Sequence, residues 1–516
     1  MFFKPHLLPK AVLFALAFLF AFQASAQHKP SLLQEGWHRG AFMEIFVRSW
    51  RDSNGDGIGD LNGLTQSLDH LQDLGVKGIW LMPITTSADH DHGYATTDFR
   101  NIDPDYGTLA DFDALIKAAH ARGIGVIMDY VLNHSASDHP FFQDALRNPQ
   151  SPYRNWYEWR QEKPMGWDIW GRDPWVVTPH GSYLATFGAP MPDFNMRNPA
   201  VVKYHEDSLR FWLDRGIDGF RLDAVPHLIE NNAKDWNDQP ESRQLTGHFT
   251  RLIKSYPNKY VVCEATAEPH VYAREDICGG AFAFGLENQI AKAAQGEALA
   301  IQKVAQYYQK APHTLASFAS NHDQFAGKRL WDQVSGNETH YKLAAATYLL
   351  LPGTPFIYYG EEIGMAGAKG LTDDPFIRGP YSWTHHTQTA GFTTGKPYRA
   401  LAGNLATHHA AGQIQTPNSL RAFYKDLIKW RNVRPSLSQG TYEQASAQGQ
   451  VLSYVRRWGS EVTWVVINYS TQPAEIQRPS GLGQPRLLYA APASEPSFPK
   501  QGTIPAQSVQ IFSLEP

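Results

Sequence analysis

The chain has 516 residues, of which 42% are hydrophobic and 19% charged, a globular composition that excludes a disordered protein. Lys and Arg number 46 against 50 Asp and Glu, so the net charge of −4 excludes the basic surplus typical of nucleic-acid binders. Two cysteines exclude a disulfide scaffold and a multi-cysteine zinc module. Aromatic residues make up 13% of the chain, which suits either a large core or an aromatic-lined binding surface.

The N-terminus has the pattern of a cleaved secretory signal, residues 1–26. Lys4 and Lys10 precede the apolar run Ala11–Phe22, and Ala24–Ala26 gives the small-x-small cleavage pattern. The run is shorter than the roughly 18 residues of a membrane span, although a retained anchor is the alternative. We therefore expect a mature, soluble and monomeric protein, residues 27–516, in the periplasm or the medium.

The mature chain alternates short apolar segments with amphipathic ones, which predicts strands and helices in turn. The predicted strands are Ala41–Val47, Val76–Met82, Gly125–Val131, Gly219–Asp223, Tyr260–Cys263, Ala281–Leu286, Leu315–Ser320 and Pro355–Tyr359. The predicted helices are Leu61–Leu74, Ala110–Ala121, Val201–Arg215, 241–255, 297–310, 341–351 and Leu420–Arg431.

Short, continuously apolar strands are typical of a parallel sheet covered by helices on both faces. Eight of them predict a (β/α)₈ barrel, formed by residues 27–134 and 190–434. The aromatic, weakly periodic stretch 135–189 after the third strand is predicted to be a small inserted domain, and the alternating segments of 435–516 an all-β sandwich. A doubly wound open sheet is the competing fold, but no glycine-rich phosphate fingerprint follows the first strand.

Polar side chains follow four of the predicted strands, where a barrel builds its active site. The residues at these positions are Asp129–His134, Arg221 with Asp223, Glu264, and Asn321–Asp323. A single Asp after a strand is usually a helix cap, whereas a convergence of this size is typical of catalysis. Two carboxyl groups about 5 Å apart can serve as nucleophile and general acid on a glycosidic bond.

The roles follow from the neighbours of each group. Arg221 lies on the same strand face as Asp223, so its charge is expected to keep that nucleophile ionised. The apolar strand before Glu264 is expected to raise the pKa of this carboxyl towards the range of a general acid. His134 and His322 are expected to donate hydrogen bonds to sugar hydroxyls.

These segments resemble the α-amylase superfamily, glycoside hydrolase family 13, over nearly the whole mature chain. Its four central motifs resemble DYVLNH at 129–134, GFRLDAVPH at 219–227, CEA at 263–265 and SNHD at 320–323. A fifth motif of the family resembles MPDFN at 191–195. The resemblance implies that Asp223 is the nucleophile, that Glu264 is the acid/base and that Asp323 distorts the bound sugar. It also implies sugar contacts from Tyr94, His134, Arg221, His227 and His322.

The loop Asp52–Asp60 has oxygen-bearing side chains at every second position and glycines between them, a pattern suited to Ca²⁺. The twelfth position is Gly63, which excludes an EF-hand. In relatives the same loop binds a structural calcium, which implies ligation here by Asp52, Asn54, Asp56 and Asp60 and by the Ile58 carbonyl. The alternative is a metal-free series of Asx turns.

Two further features of the sequence leave alternatives open. Five tryptophans in the insertion form either its small core or a surface on which sugars stack; they are Trp156, Trp159, Trp167, Trp170 and Trp175. Cys263 and Cys278 lie fifteen residues apart, so a disulfide is possible. Because Cys263 belongs to a buried strand, it is expected to be a free, small hydrophobic side chain.

The reaction is less sharply indicated than the catalytic residues. Asp91 and the segment beginning at Arg378 resemble exo-acting oligo-1,6-glucosidases and α-glucosidases, in which an Asp–Arg pair grips the non-reducing end. The short insertion and MPDFN resemble secreted α-amylases instead. We therefore hypothesise hydrolysis of α-1,4-glucosidic bonds in starch, maltodextrins or malto-oligosaccharides. The alternatives are an exo-acting α-glucosidase, an α-glucosyltransferase and, remotely, a non-catalytic carbohydrate-binding barrel.

Overall fold

The computed structural model describes residues 31–492 and 502–514; the predicted signal, 1–26, lies outside them. Eight parallel strands form one sheet: β1 Phe42–Ile45, β2 Gly78–Leu81, β3 Gly125–Val131, β4 Gly219–Asp223, β5 Tyr260–Cys263, β6 Ala281–Phe282, β7 Leu315–Ala316 and β8 Phe356–Tyr358. Their order in the sheet is β7-β6-β5-β4-β3-β2-β1-β8. The Phe356 N–H donates to the Ser317 carbonyl at 2.8 Å, across the seam between β7 and β8. The predicted barrel is confirmed.

The barrel strands are buried on both faces, which explains their continuous apolar sequences. All seven residues of β3 and all five of β4 are buried. Inside the barrel, the Phe42 and Phe356 rings lie 4.8 Å apart, centroid to centroid. A Cβ at Gly78 would lie 2.3 Å from the Phe42 ring, so glycine at this position makes room for the packing of the interior.

The longer helices that cover the barrel and insertion are Leu61–Gln66, Leu68–Leu74, Leu109–His120, Pro140–Arg147, Pro199–Arg215, Pro240–Lys254, Leu286–Ala294, Ala298–Lys310, Glu338–Leu350 and Leu420–Val433. Short ones are Val47–Trp50, Pro269–Tyr272, Leu330–Gln333, Asp373–Ile377, Ala410–Gln413 and Pro435–Gln439. The predicted strand 281–286 ends early, because Gly285 adopts φ 90° and begins the helix Leu286–Ala294, which the sequence did not predict.

The chain leaves the barrel in two places to form smaller units. Between β3 and β4, the strands Trp159–Arg160, Gly181–Leu184 and Trp175–Thr178 form an antiparallel sheet within the predicted insertion. After β2, Thr85–Ser87 pairs with Thr96–Ile102. The C-terminal part is an antiparallel sheet in the order Glu443–Gln448, Val451–Trp458, Glu461–Asn468, Ser508–Ser513 and Arg486–Ala491, with Ala474–Glu475 paired to Thr503–Ile504. It is the expected all-β unit.

The structure pairs Cys263 and Cys278 in a disulfide, so the expectation of a free Cys263 is wrong. After β5 the chain forms the short helix Pro269–Tyr272 and turns back. The Cys278 N–H then donates to the Tyr272 carbonyl at 3.1 Å. This turn brings the two Cα atoms to 6.3 Å, within the reach of a disulfide, and both side chains are buried.

Within residues 31–492 and 502–514, no helix has the length and apolar character needed to cross a membrane.

Candidate active site

A cavity of about 580 Å³ lies at the carboxyl ends of the barrel strands, where barrel enzymes bind their substrates. Its lining includes Tyr94, His134, Asp223, Glu264 and Asp323. These residues come from separate strand ends or the loops after them. The barrel therefore collects, in one cavity, the three acidic residues for which the sequence predicts catalytic roles.

The floor of this cavity is organised by Arg221, whose side chain is fully buried on β4. Its Nη1 atom lies 2.9 and 3.0 Å from the two carboxylate oxygens of Asp129 and also contacts Asp223. Its Nη2 atom lies 2.9 Å from Glu264 Oε2. Arg221 and Asp223 share a strand face because they are two residues apart. One guanidinium thus holds three carboxyl groups together.

Burial controls the protonation of this cluster. It raises the pKa of Asp223 well above its usual range, and the charge of Arg221 opposes the rise without cancelling it. Burial likewise raises the pKa of Asp129 to about 6. Arg221 therefore acts in the expected direction, but it does not outweigh burial. Glu264, which binds the neighbouring nitrogen of the same guanidinium, adds to the rise in the pKa of Asp223.

Asp323 lines the same cavity and is held by two neighbours. Arg378 Nη2 lies 3.1 Å from Asp323 Oδ1, and His322 Nε2 lies 3.2 Å from Asp323 Oδ2. The Tyr94 hydroxyl is 2.6 Å from His322 Nε2 and donates to Asp129 at 2.9 Å. Tyr94 thus links the Asp323 side of the cavity to the carboxylate cluster under Arg221.

His134 and His227 complete the cavity wall as neutral imidazoles. Burial lowers the pKa of His134 to about 3 and that of His227 to about 4. Asn133 donates its amide N–H to the His227 carbonyl, so its oxygen accepts from His134 Nδ1 at 3.0 Å. Among the described residues, His134 Nε2 has no hydrogen-bond partner. It is consequently placed to accept a hydrogen bond from a sugar hydroxyl, whereas the sequence-based expectation was that it donates one.

Comparison with known proteins decides the family. Residues 44–440 match the family model described as the alpha amylase catalytic domain. The chain belongs to the α-amylase superfamily. It is 36% identical to Alpha-amylase 3 of Dictyoglomus thermophilum over 447 residues, which cover 84% of this chain and 85% of that one. It is 32% identical to the trehalose synthase/amylase of Mycolicibacterium smegmatis over 478 residues, 81% of this chain and 80% of the relative.

Solved structures agree with this assignment. The crystal structure of the α-amylase from H. orenii superposes with a TM-score of 0.80 at 32% identity, covering 92% of this chain and 99% of that one. The trehalose-6-phosphate hydrolase of Bacillus licheniformis gives a TM-score of 0.83 at 25% identity, with coverages of 94% and 100%. The relatives of this α-amylase superfamily member therefore include enzymes named for different reactions.

Asp91 and Arg378, the two residues that resemble exo-acting relatives, do not pair with each other in this superfamily member. Asp91 pairs with Arg399 at 2.7 Å. Arg378 bonds Asp374 at 3.0 Å as well as Asp323. Neither Arg399 nor Asp374 was singled out in the sequence, because neither follows a barrel strand.

Glu44 on β1 is a third residue that sequence reasoning missed. Its carboxyl contacts His322 Nδ1 at 2.6 Å and is buried. The signal was present in the sequence, since Glu44 is a charged residue within an otherwise apolar strand, Phe42–Ile45. Such residues are seldom fully buried without a specific partner.

The tryptophans of the insertion serve two purposes. Trp175 is buried, and Trp156 and Trp159 are partly buried against the core. Trp170 is 53% exposed and lines the active-site cavity. Its ring is edge-on to the ring of His227 at 5.2 Å and to that of Trp236 at 5.5 Å. The His227 and Trp236 rings stack on each other. Of the cluster, Trp170 is the tryptophan placed to meet a ligand.

The loop Asp52–Asp60 is a series of turns closed by its own side chains. Asp52 accepts N–H groups of Asn54, Gly55 and Gly57 at 2.7–2.9 Å, and Asp60 caps the helix Leu61–Gln66. Within the described part of the chain, no group of three or more His, Cys, Asp or Glu is gathered for a metal. The oxygen-only donor set suits Ca²⁺, and the calcium site stays a prediction.

Proposed function

We propose that the protein is a retaining glycoside hydrolase of the α-amylase type, which cleaves α-1,4-glucosidic bonds in starch, maltodextrins or malto-oligosaccharides. One observation carries the proposal. Asp223 and Glu264 bind neighbouring nitrogens of the Arg221 guanidinium, and Glu264 Oε2 accepts the N–H of Ala224, the residue after Asp223, at 2.9 Å. Retaining enzymes place their two carboxyl groups only about 5 Å apart, because the nucleophile and the acid act on the same bond.

In the first step, Asp223 attacks the anomeric carbon while Glu264 gives its proton to the departing glycosidic oxygen. In the second step, Glu264 takes a proton from water, which attacks the same carbon and releases Asp223. Arg221 stabilises the carboxylate of Asp223 as it departs, because its guanidinium remains within hydrogen-bonding distance.

The remaining side chains hold the sugar whose bond is broken. Asp323, steadied by Arg378 and His322, is placed to accept hydrogen bonds from sugar hydroxyls. His134 offers Nε2 as an acceptor on another side of the cavity. Asp323 would thereby favour the distorted ring of the transition state, as the family resemblance implies.

Trp170 supports a polymeric leaving group. It packs against His227 and lines the same cavity as the general acid Glu264. The general acid marks the leaving-group side of a glycosidic bond. An exposed tryptophan there gives the next glucosyl unit an apolar face on which to stack, as an endo-acting α-amylase requires.

An exo-acting α-glucosidase is the second candidate. Asp91 and Arg378 are both present, and the α-glucosidase of Rhizobium meliloti, described as probable, is 30% identical over 508 residues. Asp91 forms an Asp–Arg pair with Arg399, whereas Arg378 binds Asp323 and Asp374. An Asp–Arg pair, the feature by which exo-acting relatives grip a single non-reducing end, is therefore present and supports this second candidate.

Two further properties belong to the proposal. Export after removal of residues 1–26 is supported by the disulfide Cys263–Cys278, since disulfides persist in oxidising compartments. A structural Ca²⁺ would be held by the side chains of Asp52, Asn54, Asp56 and Asp60 and by the Ile58 carbonyl. The ion would stabilise the loop before the helix Leu61–Gln66 and take no part in the reaction.

A product time course on maltoheptaose and on p-nitrophenyl α-glucoside tests the reaction. Mixed shorter oligomers from the first time points support the α-amylase type, whereas glucose alone from the start supports the exo-acting enzyme. Products longer than maltoheptaose would indicate glucosyl transfer. Full activity of Asp223→Asn on every α-glucan would contradict the mechanism itself.

A further inference from the structure

Glu44 is a buried carboxyl group that the reaction does not consume. It lies on β1, 278 residues before His322 in the chain, and its Oε1 atom is 2.6 Å from His322 Nδ1. Both side chains are buried, with exposures of 2% and 0%. The Trp80 ring stands edge-on to the imidazole at 5.5 Å and the Tyr94 ring stacks on it at 5.5 Å, so the orientation of His322 is fixed.

The other ring nitrogen of His322 must carry a hydrogen. His322 Nε2 lies 2.6 Å from the Tyr94 hydroxyl and 3.2 Å from Asp323 Oδ2. The Tyr94 hydroxyl already donates its proton to Asp129, so its oxygen accepts from His322. The carboxylate of Asp323 is also an acceptor. Both neighbours of Nε2 therefore require it to be a donor.

A neutral imidazole with its hydrogen on Nε2 has a lone pair on Nδ1, which needs a donor in turn. Burial lowers the pKa of His322 well below its usual range, and Arg378 and Arg221 lower it further. Burial also raises the pKa of Glu44 well above its usual range; Asp323 and Asp129 add to this rise, and Arg221 opposes it. A neutral acid beside a neutral imidazole satisfies every contact.

We propose that Glu44 is a positioning residue that acts as a neutral carboxylic acid, donating its proton to Nδ1 of His322 and so keeping the Nε2 hydrogen directed at Asp323 and the bound sugar. The inference rests on the proposed function, since His322 and Asp323 hold the sugar there. The competing arrangement is a Glu44 carboxylate beside a His322 imidazolium. The two arrangements differ in the hydrogen on Nδ1 and in the effect of an amide at position 44.

Kinetics of three variants on maltoheptaose separate these arrangements. Glu44→Leu removes the donor, and we expect kcat to fall about 10- to 100-fold, the scale for losing a partner that orients a histidine. Glu44→Gln supplies an N–H in place of the acid O–H, and we expect it to restore most of that loss. Glu287→Leu, which removes a buried carboxyl on a helix outside the cavity, should keep the wild-type kcat per folded molecule. If Glu44→Gln is as slow as Glu44→Leu, the neutral-acid assignment is wrong.

Nitrogen-15 NMR of histidine-labelled wild-type protein gives a readout that needs no substrate. His322 is assigned by the signal lost in His322→Gln. We expect a hydrogen on Nε2 and an unprotonated Nδ1 near neutral pH. A protonated Nδ1, as tautomer or as imidazolium, would overturn the proposal. Because this measurement is independent of turnover, a failure to cleave α-glucans would count against the proposed function and leave the tautomer result standing.

Discussion

Replacing Arg221 with methionine tests the electrostatic organisation of the cavity. The side chain is fully buried and contacts three carboxyl groups, those of Asp129, Asp223 and Glu264. Arg221→Met keeps most of the volume and removes the charge. Stranding the partners of a buried ion pair costs about 3–5 kcal/mol, so we expect a loss of this size in the free energy of unfolding at neutral pH.

The sign of the pH dependence follows from the pKa of Asp223. Burial already raises that pKa, and Arg221 opposes the rise, so Arg221→Met raises it further. A carboxyl group whose pKa is raised in the folded state does not lower the free energy of unfolding at pH values below its unfolded-state pKa of about 4. Its cost in free energy of unfolding grows as the pH rises from that value to the folded-state pKa. The penalty of the variant should therefore be smallest near pH 4 and grow towards neutral pH. The acid limb of its kcat/KM profile should move to higher pH.

Urea unfolding of wild type and variant at a series of pH values measures this penalty. Arg456→Met is the matched control, because Arg456 is equally buried but bonds backbone carbonyls of Thr441, Leu350 and Gly440. Its loss should change little with pH. A penalty for Arg221→Met that is the same at pH 4 and pH 8 would refute the reasoning.

Three other predictions concern single features of the molecule. Trp170→Ala should raise KM for maltoheptaose by about 3- to 10-fold, since a stacking partner worth roughly 1 kcal/mol is lost. The variant should hydrolyse α-maltosyl fluoride, which has no sugar in its leaving group, near the wild-type rate. Equal effects on both substrates would refute this prediction. Cys278→Ala should lower the free energy of urea unfolding by about 3 kcal/mol relative to the oxidised wild type, the value for a loop of this length, and should match the reduced wild type. Excess chelator should lower the Tm of the wild type but not that of Asp56→Ala, and an unchanged wild-type Tm would count against the calcium.

The barrel could be predicted from the sequence because its evidence is local. Each strand is a short apolar run, and each carboxyl that we predict to be catalytic follows or ends such a run, as at Asp223 and Glu264. Knowing that parallel strands end at one face was enough to bring these residues together. The strand at Ala281 was predicted too long, because apolar residues continue into the helix that follows.

Pairings between distant segments could not be predicted in the same way. Asp91 binds Arg399, 308 residues away, and Glu44 binds His322, 278 residues away. The disulfide at Cys263 depends on a turn whose geometry the sequence pattern does not express. These contacts are decided by which distant strands and loops the folded barrel brings together, and hydrophobic periodicity carries no information about that.

The central claim is that Asp223 becomes covalently bonded to the sugar. Incubation with 5-fluoro-α-D-glucosyl fluoride, which slows the second step more than the first, followed by peptide mapping with mass spectrometry, tests it directly. We predict a single fluoroglucosyl label on the peptide that contains Asp223, and no label in Asp223→Asn. A label on Glu264 or Asp323, or turnover with no covalent label at all, would contradict the account.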